Sequence, residues 1–275
     1  MFTKIKSSVE YDKFNLVSDD NYTYYEQILN DIEYSVYLDV IRYSSKIKKA
    51  IYIENLENKK LYFVYENKTE YSLKSKRISE ILLDLFKTTS YEVSIKKDNI
   101  KNLNNIYKLL DNKFRYFEIR IREIELNPIK KDIDWIILSK YYLLLDSKIF
   151  LYDLQQDIFK YIDKNEVVKY GLIPKYINQN LYSKESLLLD YNLYYGPISM
   201  LYVRMSLMLD DYDPFEEVKK LDILNQKYFC FMYLYLLILN VNMDISMNIY
   251  GISNYVIILK KIKEFIKKYE SLIRK

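Results

Sequence analysis

Apolar and polar positions change their period more than once along this chain of 275 residues. Tyr22–Tyr43 has mixed apolar spacing that suits a helix, with Asp19, Asp20 and Asn21 ahead of it as candidate caps. The next block is rich in β-branched and aromatic residues. Lys49–Leu56 (KAIYIENL) and Leu61–Glu66 (LYFVYE) flank Glu57–Lys60, which predicts a hairpin. Glu70–Lys74 (EYSLK) reads as a third short strand. In Ser79–Phe86 the apolar residues Ile81, Leu82, Leu85 and Phe86 return to helical spacing, and Tyr91–Lys96 alternates like a fourth strand.

From Asn102 onward the helical period dominates. Leu103–Leu126 sets Ile106, Leu109, Leu110, Phe114, Phe117, Ile121 and Ile124 along one stripe, which Pro128 ends. Asp132–Leu145 and Ile149–Ile162 predict two more amphipathic helices. Lys164–Met200 is the least regular stretch and holds Gly171, Pro174, Gly196 and Pro197. Helices resume at Ile198–Leu209, Phe215–Leu239 and Val256–Arg274. The outline predicts an α+β protein with a small lobe over residues 1–101 and a larger, mostly helical lobe over residues 102–275. An all-helical bundle with one hairpin is the alternative.

Composition removes whole classes of chemistry. The chain has no histidine, so Ser-His or Cys-His nucleophiles, His proton shuttles and His metal ligands are absent. Cys230 is alone, which leaves no disulfide framework and no Cys-based zinc site. All three glycines (Gly171, Gly196, Gly251) fall late in the chain, so no Gly-rich phosphate cradle exists before them. The 32 tyrosines, beside abundant Ile, Lys and Asn, fit the coding bias of an AT-rich genome. Each reads first as an amphipathic core or boundary residue.

The apolar run Tyr228–Asn240 is short of the ~20 residues that a spanning helix needs, so a core helix is expected there. Met1–Glu10 lacks the apolar stretch of a signal peptide, which predicts a cytoplasmic location. The formal net charge is +4, milder than in a dedicated nucleic-acid domain. The lysines near the C-terminus, Lys260 to Lys268, read as the solvated face of a terminal helix.

The order of elements resembles the aminoglycoside-phosphotransferase type of kinase-like fold, and in particular the divergent spore-coat kinase-like proteins of Gram-positive bacteria. Lys49–Leu56, Leu61–Glu66 and Glu70–Lys74, then Ser79–Phe86, are similar to three small-lobe strands and the helix after them. Phe114–Glu125 and Asp134–Leu144 are similar to the helices ahead of the catalytic loop. Val168–Asn178 (VKYGLIPKYIN) falls where that family carries its "HGD…N" loop. Leu189–Leu201 (LDYNLYYGPISML) is similar to its "ID…GP…DL" segment. The resemblance implies a nucleotide cleft with Lys74 pairing phosphates, Glu80 as its helix partner and Asp190 as the metal-binding carboxylate.

The departures bear on chemistry. Tyr170 stands for the loop histidine, and Leu172 stands for the aspartate that accepts the substrate's hydroxyl proton. Asn178 is one position off the loop asparagine, and Met200 replaces the aspartate of the closing "DL" pair. Leucine cannot accept a proton. The expectation is therefore a catalytically inactive kinase-like protein, a pseudokinase, that binds or scaffolds a protein or small-molecule partner. ATP and Mg²⁺ could be held without turnover. Two alternatives stay open: an active phosphotransferase drawing its base from Asp190 or Glu185, and a nucleic-acid-binding protein using interleaved Tyr and Lys. Asp210–Pro214 (DDYDP) reads as a polar loop, with Asp213 capping the helix after it.

Overall fold

The computed structural model of the chain describes residues 7–11, 14–18, 22–28, 51–55, 60–66, 75–94, 98–127, 132–162, 167–174, 177, 193–209, 211–243 and 249–273. Five strands come first: β1 (Ser7–Tyr11), β2 (Phe14–Ser18), β3 (Tyr22–Ile28), β4 (Ile51–Asn55) and β5 (Lys60–Glu66). They form one antiparallel sheet in the order β1-β2-β3-β5-β4. The hairpin expected from the aromatic and β-branched pattern is β4–β5, with Asn55 opposite Lys60.

The helix expected to begin at Tyr22 is a strand instead. Residues 22–28 read YTYYEQI, aromatics and Thr that suit a pleated surface. Pairing with β2 on one side and β5 on the other satisfies the backbone on both edges. β1 and β2, SSVEY and FNLVS, carry too few β-branched and aromatic residues to mark strands by themselves, and are strands through their pairing with each other and with β3. The third strand expected at Glu70–Lys74 lies outside the described residues.

Helix α1 (Ser75–Thr89) buries Ile78, Leu82, Leu85 and Phe86, the stripe that its sequence marks. Strands β6 (Tyr91–Ser94), β7 (Val167–Pro174) and β8 (Leu193–Pro197) make a second sheet in that order. β7 and β8 are ordered strands inside the stretch read as least regular. Helix α4 (Ile198–Met208) follows β8 directly.

The remaining elements are helical: α2 (Asp98–Leu126), α3 (Asp132–Ile162), α5 (Phe215–Val218), α6 (Ile223–Leu239) and α7 (Ile249–Ile273). Three boundaries differ from expectation. α3 is one helix rather than two, because the polar dip Asp146-Ser147-Lys148 contains no breaker. Ser147 is buried and its hydroxyl donates to the Leu144 carbonyl at 2.7 Å, so it is satisfied inside the helix. The stretch 215–239 is two helices. α5 has no side-chain cap at its start, whereas Asp222 caps α6 by accepting from the Asn225 N–H at 2.8 Å. The capping carboxylate is thus Asp222, not Asp213. α7 begins several residues earlier than its apolar pattern suggested and runs through Gly251.

The chain divides into two compact units: residues 1–92 with 169–213, and residues 93–168 with 214–275. The second is a helical assembly in which α3, α6 and α7 pack on one another and α2 packs on α3 and α6. α6 is apolar nearly all round and sits in the core, as the run Tyr228–Asn240 implies. Its Phe229 and Tyr233 meet Phe265 and Tyr269 of α7, with Tyr233–Phe265 and Phe265–Tyr269 ring centroids 4.4 and 4.3 Å apart. Such pairs add to plain area burial. Lys227 is 3% exposed and donates to Asp157 of α3 at 2.6 Å, so this buried cation is paired.

Candidate functional site

The segments that the resemblance marks as a catalytic loop and a metal-binding segment come together in the first unit, as the β7–β8 hairpin. The strands pair antiparallel with Tyr170 opposite Pro197, Gly171 opposite Gly196, Leu172 opposite Tyr195 and Ile173 opposite Tyr194. Valine, isoleucine and tyrosine favour this pairing. The facing glycines sit where neighbours crowd the backbone. A Cβ on Gly171 would lie 2.7 Å from Phe86 Cδ2 and 2.8 Å from the Phe86 carbonyl oxygen. Strand β7 therefore lies against the end of α1 at a distance that no larger residue permits.

Leu172 has no exposed surface, and neither has Ile173. The Leu172 N–H donates to Thr89 Oγ1 at 3.0 Å, and that hydroxyl in turn donates to the Leu85 carbonyl at 2.8 Å. The last residue of α1 thus fixes the strand position that would carry a catalytic aspartate. Beyond it, Tyr91 of β6 stands edge-on to Tyr195, ring centroids 5.2 Å apart. Tyr194 has a buried hydroxyl; burial pushes its pKa up, against the pull of the Arg204 guanidinium of α4. Tyr170 is half-buried, and burial and then Tyr91 raise its pKa above the ordinary phenol value. Pro197 is the N-cap of α4 with extended backbone (φ −70°, ψ 153°), and Met200 is buried in the first turn.

Among the described residues, the hairpin strands read VVKYGLIP and LYYGP and contain no carboxylate. Their proton-carrying groups are Lys169, which is exposed, and tyrosine hydroxyls. A phenol with a raised pKa is a poor base near neutral pH. No cluster of three or more Asp, Glu, His or Cys suited to a metal ion occurs among the described residues. No helix among them is long and apolar enough to cross a membrane.

Of the residues singled out from the sequence, Glu80 lies on α1 and is exposed. Lys74, Asn178, Glu185 and Asp190 lie outside the described residues. Among the described residues five strands come before the helix of Glu80, and the strand expected to carry Lys74 lies outside them. Thr89, Phe86 and Arg204 were missed. Thr89 and Phe86 act on a strand more than eighty residues away, and Arg204 acts on Tyr194 across the strand-to-helix junction, so no periodic pattern marks them.

No protein-family model matches the chain, and no curated protein matches it in sequence. Solved structures do. An aminoglycoside phosphotransferase from Alicyclobacillus acidocaldarius superimposes with a TM-score of 0.60 at 11% identity, over 98% of this chain and 93% of that one. A choline kinase from Streptococcus pneumoniae is also matched, with a TM-score of 0.39 at 11% identity, over 95% of both chains. The fold is thus kinase-like, of the aminoglycoside-phosphotransferase type. The likeness is one of fold, and what the hairpin can do chemically has to be argued from its own residues.

Proposed function

We propose that this chain is a kinase-like protein without phosphoryl-transfer activity, acting as a binding or scaffold module. One observation carries the reading. Where the resemblance sets the aspartate that takes the substrate's hydroxyl proton stands Leu172, a hydrocarbon side chain with no exposed surface. Phosphoryl transfer on such folds depends on positioning the nucleophile and the phosphates, with a base beside the hydroxyl. Leu172 can neither accept the proton nor orient the hydroxyl. Met200, buried in α4, removes a second carboxylate of the pattern, and the histidine-free chain has no imidazole to substitute for either. Lys74, Glu80 and Asp190 would then line a vestigial nucleotide cleft, with Asp190 as the one carboxylate for a metal.

The test is to incubate the purified chain with MgATP and a panel of hydroxyl acceptors that includes aminoglycosides and choline. Labelled phosphate is followed into product. The expected result is no transfer above an enzyme-free blank, with any MgATP-induced rise in melting temperature small and missing from Asp190→Ala. Transfer to any acceptor by the wild-type chain overturns the reading.

A further inference from the structure

We propose that the outer face of α3 is a self-association surface, on which a second copy of this chain lays its own α3 antiparallel. Trp135, Tyr142, Leu145, Ile149 and Tyr152 are all exposed on this helix, Trp135 and Ile149 by more than 60%. Their spacing is that of heptad positions a and d, and half-buried Leu138 fills the one d position between Trp135 and Tyr142. The core of the helical unit takes the opposite face of α3, through Ile137, Leu144, Leu151, Leu154 and Ile158. Inside the chain Tyr152 at one end of the stripe donates a hydrogen bond to Asp111 of α2, while Trp135 and Ile149 are its most exposed members. A surface helix ordinarily carries polar residues there.

Area argues for a second copy. Scaling the ~150–250 Å² of an aromatic side chain by these exposures gives roughly 500 Å² for the stripe. That lies toward the upper end of the largest apolar patch on a typical monomer, about 300–600 Å². Two stripes face to face remove about 1,000 Å² before any rim is counted, the threshold for a specific interface. The register is self-complementary. A two-fold axis between Tyr142 and Leu145 sets Trp135 against the partner's Tyr152, Leu138 against the partner's Ile149, and Tyr142 against the partner's Leu145. Each copy supplies both members of every pair, as an isologous contact requires. One rim carries Asp146, which the two-fold brings within roughly 8 Å of its own copy along the helix axis, at ~1.5 Å per residue. Association should therefore tighten as salt is added.

Trp135 is the sole tryptophan, so its emission reports on the interface. Sedimentation of the full chain should give twice the 33.6 kDa of one copy. Dilution should red-shift the emission as dimers part. The double variant Tyr142→Lys, Ile149→Lys should be monomeric, with the melting temperature that the wild type approaches on dilution. Under oxidation, Trp135→Cys combined with Tyr152→Cys should cross-link two copies, and Trp135→Cys alone should not; Cys230 is buried and stays out of the reaction. A wild-type monomer at every concentration overturns the proposal, whatever other helix or lipid surface it then captures. So does a dimer that survives the two lysines, or a cross-link formed by Trp135→Cys alone, which reports parallel helices.

Discussion

Replacing Leu172 by aspartate would restore the residue type that phosphoryl transfer needs, and the structure gives reason to expect it to fail. Leu172 is wholly buried in β7, beside wholly buried Ile173. Truncating such a leucine costs about 2–5 kcal/mol. An aspartate there also loses its water, which pushes its pKa up. The cheaper outcome is to take a proton. Keeping a group of ordinary pKa ~3.9 neutral at pH ~7 costs roughly 4 kcal/mol, at ~1.4 kcal/mol per pH unit. Leu172→Asp should then fall ~6 kcal/mol or more below wild type at neutral pH, comparable with the ~5–15 kcal/mol total stability of a domain.

The sign follows from the raised folded-state pKa. The penalty is full above that value, shrinks as pH falls, and vanishes below the unfolded value of ~3.9. Urea unfolding followed by far-UV circular dichroism, on Leu172→Asp, Leu172→Asn and Leu172→Ala, separates the terms. The gap between the aspartate and alanine variants should narrow by about 3 kcal/mol between pH ~7 and pH ~5, while the asparagine variant tracks alanine at every pH. If aspartate is as stable as alanine at neutral pH and the gap is flat, the side chain reaches water. The position is then open, and the reasoning that closes it to catalysis is wrong.

Other expectations follow from single contacts. Thr89→Val removes the oxygen that accepts the Leu172 N–H and should cost about 1–3 kcal/mol for the unsatisfied donor, whereas Thr89→Ser should recover most of it in the same urea assay. Removing Asp157 should be worse than removing Lys227. Asp157→Asn strands a buried ammonium at about 3–5 kcal/mol, while Lys227→Met leaves a partly exposed carboxylate that still has Lys160. Burial works to raise the Asp157 pKa, but the hydrogen bonds from Lys227 and Lys160 outweigh it and hold the carboxyl below its ordinary value. The pair's contribution should thus persist above the unfolded Asp pKa of ~3.9 and be lost as pH falls through the lower folded value, visible as an acid limb in a pH–melting-temperature profile that Lys227→Met flattens.

Residue identity and short-range pattern carried part of the picture. The histidine-free composition excludes imidazole chemistry. The β4–β5 hairpin, helices α1, α2 and α4, and the apolar body of α6 were legible because each buries one periodic face or is apolar throughout, whereas the break between α5 and α6 was not. Where pairing partners lie far apart in sequence, local pattern was silent or misleading. Tyr22–Ile28 became a strand because β2 and β5 flank it. Ser147 stayed helical because its hydroxyl found a carbonyl one turn back. Packing between distant segments set the rest: Leu172 is buried with its own N–H held by Thr89, more than eighty residues earlier, and residues 169–213 join the first unit. Burial is a property of neighbours, and neighbours on different elements are chosen by packing free energy that no window of sequence contains.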